Sequence, residues 1–232
     1  VTIPAGTGGA AGAMAAAGSS GAAAGSGGGA AGMPATEMDY GKGDGSDVVT
    51  IGDSWMNILT NGGGIEGALD RAGTKYRHYA IAGTLLLNGQ IPSQYDQAKR
   101  ENPKIATVIL TAGGNDVMFS GGCNTKAACE MSSQRIADGL NELYTKLAAD
   151  GVTTTVYIQY SRNAGTAPAD TRPDMPASPA ICTSGKIRCL GINTTDLIAA
   201  TDTVDGIHPT RAGCDRIAKR TLETMEMRGV RR

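Results

Sequence analysis

Short strand-like runs alternate with helical patterns along most of the chain, and this alternation is the strongest constraint on its fold. The five runs are Asp47 to Ile51, Tyr76 to Ile81, Ile105 to Thr111, Thr153 to Tyr160 and the shorter Ile187 to Leu190. Nearly continuous apolar strands are typical of parallel sheets that are buried on both faces. Right-handed crossover helices then cover the two faces. The sequence therefore predicts an α/β fold, a three-layer αβα sandwich with about five parallel strands.

Helical patterns lie between these runs and after them. The clearest runs from Cys129 to Asp150, where Ile136, Leu140, Leu143 and Leu147 recur at three- and four-residue spacing. The others are Met56 to Arg71, which Gly62-Gly63-Gly64 interrupts, Ser93 to Glu101 and Arg211 to Arg228. The segment Asn163 to Ser184 is rich in Pro, Ala and Asp, and we expect an irregular excursion there.

Residues 1–46 differ in composition from the rest of the chain. Gly and Ala dominate, with some Ser, and no charged side chain precedes Glu37. Such a segment cannot bury enough apolar surface to offset its conformational entropy. We therefore expect a flexible tether over residues 1–46 and one folded domain over residues 47–232. The tether is either a spacer that holds the domain away from a cell envelope or a plain linker, and the sequence leaves both open.

Charge and hydropathy argue against several classes of protein. The 232 residues carry a formal net charge of -1, so neither nucleic acid nor an anionic membrane surface is an expected partner. No apolar run is long enough to span a bilayer. The chain opens with Val1-Thr2-Ile3-Pro4 and lacks the charged-then-apolar pattern of a signal peptide, so we expect a processed or trimmed start.

Five cysteines are compatible with an oxidising compartment. Cys123 and Cys129 bracket five residues, and Cys182 and Cys189 bracket six. Zinc is disfavoured because neither pair has two-residue spacing and no histidine lies beside them. Two local disulfides with Cys214 left over are the simplest arrangement. A bond between Cys189 and Cys214 is the rival, since the fifth strand and the last helix must lie close, and the sequence leaves the pairing open.

The first strand runs directly into Gly52-Asp53-Ser54. Open α/β sheets place their chemistry at the carboxyl ends of their strands. A serine there lies at a helix N-terminus, where free N–H groups and the helix dipole favour negative charge. Such an environment suits a nucleophile whose reaction develops an oxyanion. Taken alone, Gly-Asp-Ser is also an ordinary turn sequence.

The chain has two histidines that could act as the base for such a nucleophile. His78 enters a strand between polar and aromatic residues, and we interpret it as structural. His208 follows Asp205 at a spacing of three residues and precedes Pro209, which is predicted to open the last helix. This spacing lets the Asp205 carboxylate fold back onto one imidazole nitrogen while the other nitrogen faces the nucleophile. The alternative is a surface turn without chemistry.

Four sequence blocks that could form one site follow each other along the chain. They are Gly52-Asp53-Ser54, Gly83, Gly113-Gly114-Asn115-Asp116 and Asp205-Gly206-Ile207-His208. In these blocks the sequence resembles the SGNH (GDSL-type) hydrolases, a large family of esterases and lipases, over residues 47–228. The resemblance implies a flavodoxin-like sheet. It also implies that Ser54 is the nucleophile, that His208 is the base, and that Asp205 orients His208.

The same resemblance implies an oxyanion hole made of the backbone N–H groups of Ser54 and Gly83 and the side chain of Asn115. Two features depart from the family pattern. Trp55 stands where the family name has Leu, and we expect Trp55 to pack beside the nucleophile. The block around Gly83 is a loose match.

The predicted function is hydrolysis of short-chain carboxylic esters, with O-acetyl groups on carbohydrate as a candidate substrate and with no metal or organic cofactor. We expect a monomer that is secreted or attached to the cell envelope and that binds a small-molecule or carbohydrate ester. One alternative is a thioesterase or lysophospholipase that uses the same residues. Another is a non-catalytic, surface-displayed binding module, which the tether favours and the complete set of four blocks disfavours.

Overall fold

A computed structural model describes residues 47–119, 125–161 and 179–230. Its elements in chain order are β1 (Val48–Ile51), α1 (Gly64–Arg71), β2 (Arg77–His78), α2 (Gln90–Glu101), β3 (Thr107–Leu110), α3 (Gly114–Phe119), α4 (Lys126–Ala149), β4 (Thr154–Ile158), α5 (Ala180–Thr183), β5 (Arg188–Ile192) and α6 (Arg211–Met227). Two 3-10 turns lie at Leu59–Asn61 and Ala200–Asp202. The predicted tether, Cys123 and most of the predicted excursion at Asn163 to Ser184 lie outside the described residues.

The five strands form one parallel sheet in the order β2-β1-β3-β4-β5. The first strand along the chain is β1. The chain then forms the edge strand β2 and crosses to β3 on the other side of β1. This flavodoxin-like order opens a crevice at the carboxyl ends of β1 and β3, where the direction of winding reverses. The predicted five-stranded parallel sheet is confirmed, and the blocks that follow β1 and β3 both lie at this crevice.

Two apolar clusters cover the two faces of the sheet and make it the middle of three layers. Val48 points to the cluster that α1 and α6 form, which includes Ile65 and Ile217. Val49 points to the opposite cluster, which α2 and α4 form. Neighbouring residues of one strand face opposite layers because side chains alternate along a strand. The predicted αβα sandwich is therefore confirmed.

The second strand is shorter than the predicted run from Tyr76 to Ile81. Only Arg77 and His78 are in the ladder with β1. The chain beyond them stays beside β1, because the N–H of Tyr79 donates to the carbonyl oxygen of Thr50 at 3.0 Å and that of Ile81 to the carbonyl oxygen of Gly52 at 3.1 Å. The predicted run thus corresponds to the whole segment that lies along β1, and the ladder is a shorter part of it.

Several helices differ from the sequence prediction. The start of α1 is Gly64 rather than Met56, that of α2 is Gln90 rather than Ser93, and that of α4 is Lys126 rather than Cys129. The block at Gly113-Gly114 begins the short helix α3, which was not predicted because glycine is a poor helix former. The last helix begins at Arg211, where its predicted range begins, so Pro209 does not open it. Thr210 caps it by accepting the N–H of Gly213 at 3.2 Å, and Pro209 instead forms an antiparallel bridge with Thr203.

The cysteines follow the simplest predicted arrangement where the structure describes them. Cys182 and Cys189 form a disulfide with a Cα–Cα distance of 5.6 Å. Cys129 is disulfide-bonded as well. Cys214 is free and buried, so the rival bond between Cys189 and Cys214 is wrong. Cys214 is 3.7 Å from the side-chain nitrogen of Asn61.

Within the described ranges, no helix combines the length and apolar character needed to cross a lipid bilayer.

Candidate active site

The turn that carries Ser54 depends on the backbone conformation of Gly52. Gly52 has φ of +143°, and a Cβ atom there would lie 2.4 Å from Oγ1 of Thr111. Only glycine accommodates both conditions. After it, the carbonyl oxygen of Asp53 accepts the N–H groups of Met56 and Asn57, both at 3.0 Å. The chain thus turns sharply at the carboxyl end of β1 and presents Ser54 half-buried at the crevice.

Ser54, His208 and Asp205 form a continuous line of hydrogen-bonding groups. His208 Nε2 is 2.8 Å from Ser54 Oγ, and His208 Nδ1 is 2.6 Å from Asp205 Oδ2. The second carboxylate oxygen of Asp205 accepts the backbone N–H groups of Ile207 at 3.0 Å and His208 at 2.8 Å. Burial opposes ionisation of Asp205, but the hydrogen bonds from His208 and Ile207 outweigh it and lower the pKa of this carboxyl to about 2.

The segment around His208 is closed on itself by backbone hydrogen bonds. The N–H of Val204 donates to the carbonyl oxygen of His208 at 2.9 Å, and the N–H of Thr210 donates to that of Asp202 at 2.7 Å. Together with the bridge between Thr203 and Pro209, these bonds form a narrow loop. The loop leads directly into α6, so the helix fixes one of its ends.

Two side chains of the β1–α1 loop hold this histidine loop against Ser54. Nε1 of Trp55 donates to the carbonyl oxygen of Ile207 at 3.1 Å. Nδ2 of Asn61 donates to the carbonyl oxygen of Pro209 at 2.7 Å. Trp55 is 2% exposed and meets the ring of Tyr160 edge-on at 5.0 Å between centroids. Trp55 therefore packs beside Ser54, as expected, and makes a hydrogen bond that the sequence did not predict.

Gly83 and Asn115 lie on the two loops beside the Ser54 turn. Gly83 is exposed with φ of +80°. Asn115 is 5% exposed, and its Nδ2 donates to the carbonyl oxygen of Thr84 at 3.0 Å. In the described part of the chain, no acceptor takes the backbone N–H of Ser54 or of Gly83. Asn115 Nδ2 likewise has a second proton beyond the one that it donates to Thr84.

Two buried aspartates next to these residues were missed as contributors to the site. Asp116 is 2% exposed and accepts the N–H groups of Leu86 and Leu87, both at 2.9 Å. It therefore fixes the loop that carries Gly83. Asp116 belongs to the block Gly113-Gly114-Asn115-Asp116, so the sequence already drew attention to it. A buried carboxylate needs hydrogen-bond donors around it, and here the loop of Gly83 supplies them.

Asp53 lies beneath the turn and is 1% exposed. It accepts the N–H of Trp55 and the hydroxyl of Thr111, both at 3.1 Å, and the hydroxyl of Tyr160. Burial raises the pKa of the Asp53 carboxyl, and the hydrogen bond from Tyr160 partly opposes that rise. Asp53 thus connects the Ser54 turn to the loops that follow β3 and β4.

The structure does not bring His78 to Ser54. Its Nδ1 is 2.7 Å from Oγ1 of Thr50, and its Nε2 is 2.9 Å from Oδ1 of Asp70. Both ring nitrogens are therefore occupied at the β2 edge of the sheet, in agreement with the structural interpretation of this residue.

Comparisons with known proteins agree with this architecture. No protein-family model matches the sequence, and no curated protein sequence matches it. Among solved structures, a protein described as a GDSL-like lipase from Parabacteroides merdae superposes with a TM-score of 0.55 and 14% sequence identity, over 79% of this chain and 95% of that chain. A variant of Axe2, an acetyl-xylooligosaccharide esterase from Geobacillus stearothermophilus, superposes with a TM-score of 0.51 and 17% identity, over 80% and 96%.

A Bacillus subtilis protein superposes with a TM-score of 0.53 and 16% identity, over 79% of this chain but only 56% of that chain. At these identities the likeness concerns the fold. The chain has the fold of the SGNH (GDSL-type) hydrolases, as the four sequence blocks predicted.

Proposed function

We propose that this protein is a serine esterase of the SGNH type that hydrolyses short-chain carboxylic esters. The observation that carries the proposal is the line from Ser54 through His208 to Asp205, with heavy-atom distances of 2.8 and 2.6 Å. Both distances are within hydrogen-bond reach, which is the first requirement for a nucleophile, its base and the group that orients the base.

In the proposed reaction, Ser54 Oγ attacks the ester carbonyl carbon while His208 Nε2 takes the hydroxyl proton. The carbonyl oxygen becomes an oxyanion, which accepts hydrogen bonds from the N–H groups of Ser54 and Gly83 and from the amide of Asn115. The C–O bond to the alcohol then breaks, and His208 gives its proton to the departing alkoxide. Asp205 stays ionised throughout and stabilises the imidazolium.

The acyl group is now bound to Ser54 as an ester. A water molecule attacks it, and His208 takes a proton from this water. The second tetrahedral intermediate uses the same oxyanion donors. It collapses to the carboxylic acid, and the proton on His208 returns to Ser54. No step needs a metal or an organic cofactor, so we expect activity to survive treatment with EDTA.

For the substrate, we propose small soluble esters, with O-acetylated carbohydrate as the leading class. The polar sequence between residues 162 and 185 supports a hydrated substrate, since it carries Asp170, Arg172 and Asp174 and several prolines. The acetyl-xylooligosaccharide esterase from Geobacillus stearothermophilus, which shares the fold, suggests a substrate to assay first.

A second candidate is a thioesterase or lysophospholipase that uses the same residues. Exposed apolar side chains on the segments around Gly83 and Asn115 favour it. Ile81 is 56% exposed, Leu87 36%, Met118 45% and Phe119 66%. Exposed apolar side chains that lie together often mark a site that binds an apolar ligand. A longer acyl chain could lie across them, whereas an acetyl group would leave them in water. A non-catalytic binding module has no comparable support, because it would not need the Ser54, His208 and Asp205 geometry.

The deciding experiment measures kcat/KM on p-nitrophenyl esters with two to sixteen carbons in the acyl group, with Ser54→Ala as the control. Acetate release from acetylated xylooligosaccharides and hydrolysis of a lysophosphatidylcholine and an acyl-coenzyme A thioester complete the panel. We expect the highest kcat/KM at about two to four carbons and no rise in rate above the micelle concentration. An optimum at ten or more carbons would favour the second candidate. No turnover of any substrate would leave only the binding module.

We also propose that the protein acts outside the cytoplasm, secreted or attached to the cell envelope through residues 1–46. The disulfide between Cys182 and Cys189 supports this, because such bonds persist in oxidising compartments. We expect the folded domain to begin near residue 47 and to be monomeric. A chain that lacks residues 1–45 should keep its melting temperature, its kcat/KM and a monomeric mass by light scattering. A fall of many degrees would show that the tether packs on the domain.

A further inference from the structure

A glutamine occupies a position of α2 where the helical pattern calls for an apolar residue. The buried face of α2 is formed by Ile91, Gln94, Tyr95 and Ala98, at spacings of three, one and three residues. Gln94 is 3% exposed, as buried as its apolar neighbours. Burying an amide without hydrogen bonds costs free energy, so the partners of this side chain explain why it is there.

All the hydrogen-bond partners of Gln94 belong to the loops beside the candidate active site. Its Oε1 accepts the backbone N–H of Gly52 at 2.7 Å. Its Nε2 donates to the carbonyl oxygen of Gly52 at 2.9 Å and to Oγ1 of Thr84 at 3.1 Å. Both amide protons are therefore used. The single hydroxyl proton of Thr84 has two acceptors within reach, the carbonyl oxygens of Ile81 at 2.8 Å and of Gly52 at 3.0 Å.

These bonds connect two segments that are distant in sequence. Gly52 lies two residues before Ser54, and Thr84 directly follows Gly83. The carbonyl oxygen of Thr84 also accepts the side-chain amide of Asn115. One glutamine thus joins the turn of the candidate nucleophile to the loop that carries Gly83, and this loop in turn contacts Asn115.

We infer that Gln94 is a positioning residue that sets the spacing between the N–H of Ser54 and the N–H of Gly83. The inference rests on the proposed function, since it assigns these two groups to one oxyanion hole. Donors stabilise an oxyanion only when they are aimed at the position it will occupy in the transition state. Loss of the Gln94 bonds leaves the chemical groups in place and weakens the link between the two loops. The remaining link consists of the N–H of Ile81 and the hydroxyl of Thr84, which reach the carbonyl oxygen of Gly52 at 3.1 and 3.0 Å.

Two substitutions remove these bonds in different ways. Gln94→Met keeps the length of the side chain and its helix propensity, but it leaves the N–H of Gly52 without its acceptor. Gln94→Glu keeps an acceptor for that N–H and places a second carboxylate oxygen against the carbonyl oxygen of Gly52. Gln97 provides a matched control, because it lies one turn further along α2 and is exposed.

The kinetic test compares Gln94→Met, Gln94→Glu and Gln97→Met on p-nitrophenyl acetate. We expect both Gln94 variants to lose roughly 10- to 100-fold in kcat, the scale of a misplacement of about 1 Å. KM should change less than about threefold, since the substrate contacts remain. Gln97→Met should match the wild type. An unchanged kcat in a folded Gln94→Met protein overturns the inference and leaves the esterase proposal intact.

A double variant separates positioning from general destabilisation. If Gln94 acts through the oxyanion hole, Gln94→Met should cost much less kcat in an Asn115→Ala background than in the wild type, because groups that act as a unit are non-additive. Equal fold-losses in the two backgrounds overturn the inference. If Gln94→Met does not fold, Thr84→Val is the second variant. It removes the bond from Gln94 together with the bonds from the Thr84 hydroxyl to the carbonyl oxygens of Gly52 and Ile81, and a kcat equal to that of the wild type overturns the inference in the same way.

Amide hydrogen exchange tests the contact without reference to activity. The N–H of Gly52 should be protected in the wild type and should exchange at least about tenfold faster in Gln94→Met, because an amide that loses its hydrogen bond opens more easily. Unchanged protection overturns the inference. A wild-type protein that hydrolyses no ester overturns the proposed function, even if this exchange result is as expected, and so the two failures are distinguishable.

Discussion

Trp55 donates a hydrogen bond of 3.1 Å from its indole nitrogen to the carbonyl oxygen of Ile207. The two residues are 152 positions apart, and each is the direct neighbour of a candidate catalytic residue, Ser54 and His208. The bond therefore holds the segment of the candidate nucleophile beside the segment of the candidate base. It also gives a reason for a tryptophan, rather than leucine, at this position.

Trp55→Phe tests this relationship. The phenyl ring keeps an aromatic side chain beside Tyr160 and cannot donate the hydrogen bond, and its smaller size also removes part of the buried packing. A neutral hydrogen bond contributes about 1 kcal/mol, and the variant should lose up to about tenfold in kcat with little change in KM. The rate at which an organophosphate labels Ser54 should fall by a similar factor. If both rates match the wild type, the bond does not position the histidine loop.

Ser54 and His208 are expected to act as a unit. An organophosphate should label Ser54, as peptide mass mapping can show, and label on another residue with loss of activity would contradict the assignment. Ser54→Ala and His208→Ala should each nearly abolish turnover, and the double variant should lose little more. His78→Ala is the control and should keep a rate close to that of the wild type. If His78→Ala is the inactive variant, the base has been assigned wrongly.

Asp205→Asn should reduce kcat by up to about 10⁴, because an amide favours the wrong tautomer of the imidazole. The pKa of Asp205 is lowered to about 2 in the folded protein from its ordinary value of 3.8. A lowered carboxyl pKa contributes stability that is present above the unfolded value and is lost as the pH falls through the folded one. The difference in melting temperature between the wild type and Asp205→Asn should therefore shrink between about pH 4 and pH 2. A constant difference would contradict this.

Asn115→Ala should lower kcat by roughly 10² to 10³ with little change in KM, which is the usual loss for one oxyanion donor. Because Asn115 also donates to the carbonyl oxygen of Thr84, a modest fall in melting temperature should accompany it. Thermal unfolding therefore has to be measured beside the kinetics. A raised KM with an unchanged kcat would make Asn115 a substrate-binding residue instead.

The sequence predicts the sheet and the four blocks because both are local patterns. Apolar runs specify the five strands, and Ser54, Asn115, Asp205 and His208 stand in short motifs at strand or helix ends. The bonds that hold these motifs together are not local. Gln94 reaches Gly52 across 42 residues, and Asn61 reaches Pro209 across 148.

Polar residues of structural importance can nevertheless be recognised in the sequence. Gln94 lies between Ile91 and Ala98 in a helical pattern, and Asp116 directly follows Asn115 in its block. Both side chains are buried and both have their partners on the loops of the site. What the sequence cannot supply is the identity of those partners, because it depends on the register in which the helices pack on the sheet.

Glu66 should make the stability of the protein fall as the pH rises through neutrality. Its side chain is buried beneath β1 and β2, where it accepts the hydroxyl of Thr50 at 2.6 Å and the N–H of Ala80 at 3.2 Å. Burial raises the pKa of Glu66 from 4.5 to about 7, and the nearby His78 partly opposes the rise. Between these two values the folded protein holds a proton that the unfolded chain has released, so the free energy of unfolding decreases with pH. The melting temperature of the wild type should therefore fall from pH 5 to pH 8, and Glu66→Gln should flatten that fall because an amide keeps the neutral state at every pH. Melting curves at four or five pH values decide the matter, and equal slopes for the two proteins would show that Glu66 is already ionised below pH 5.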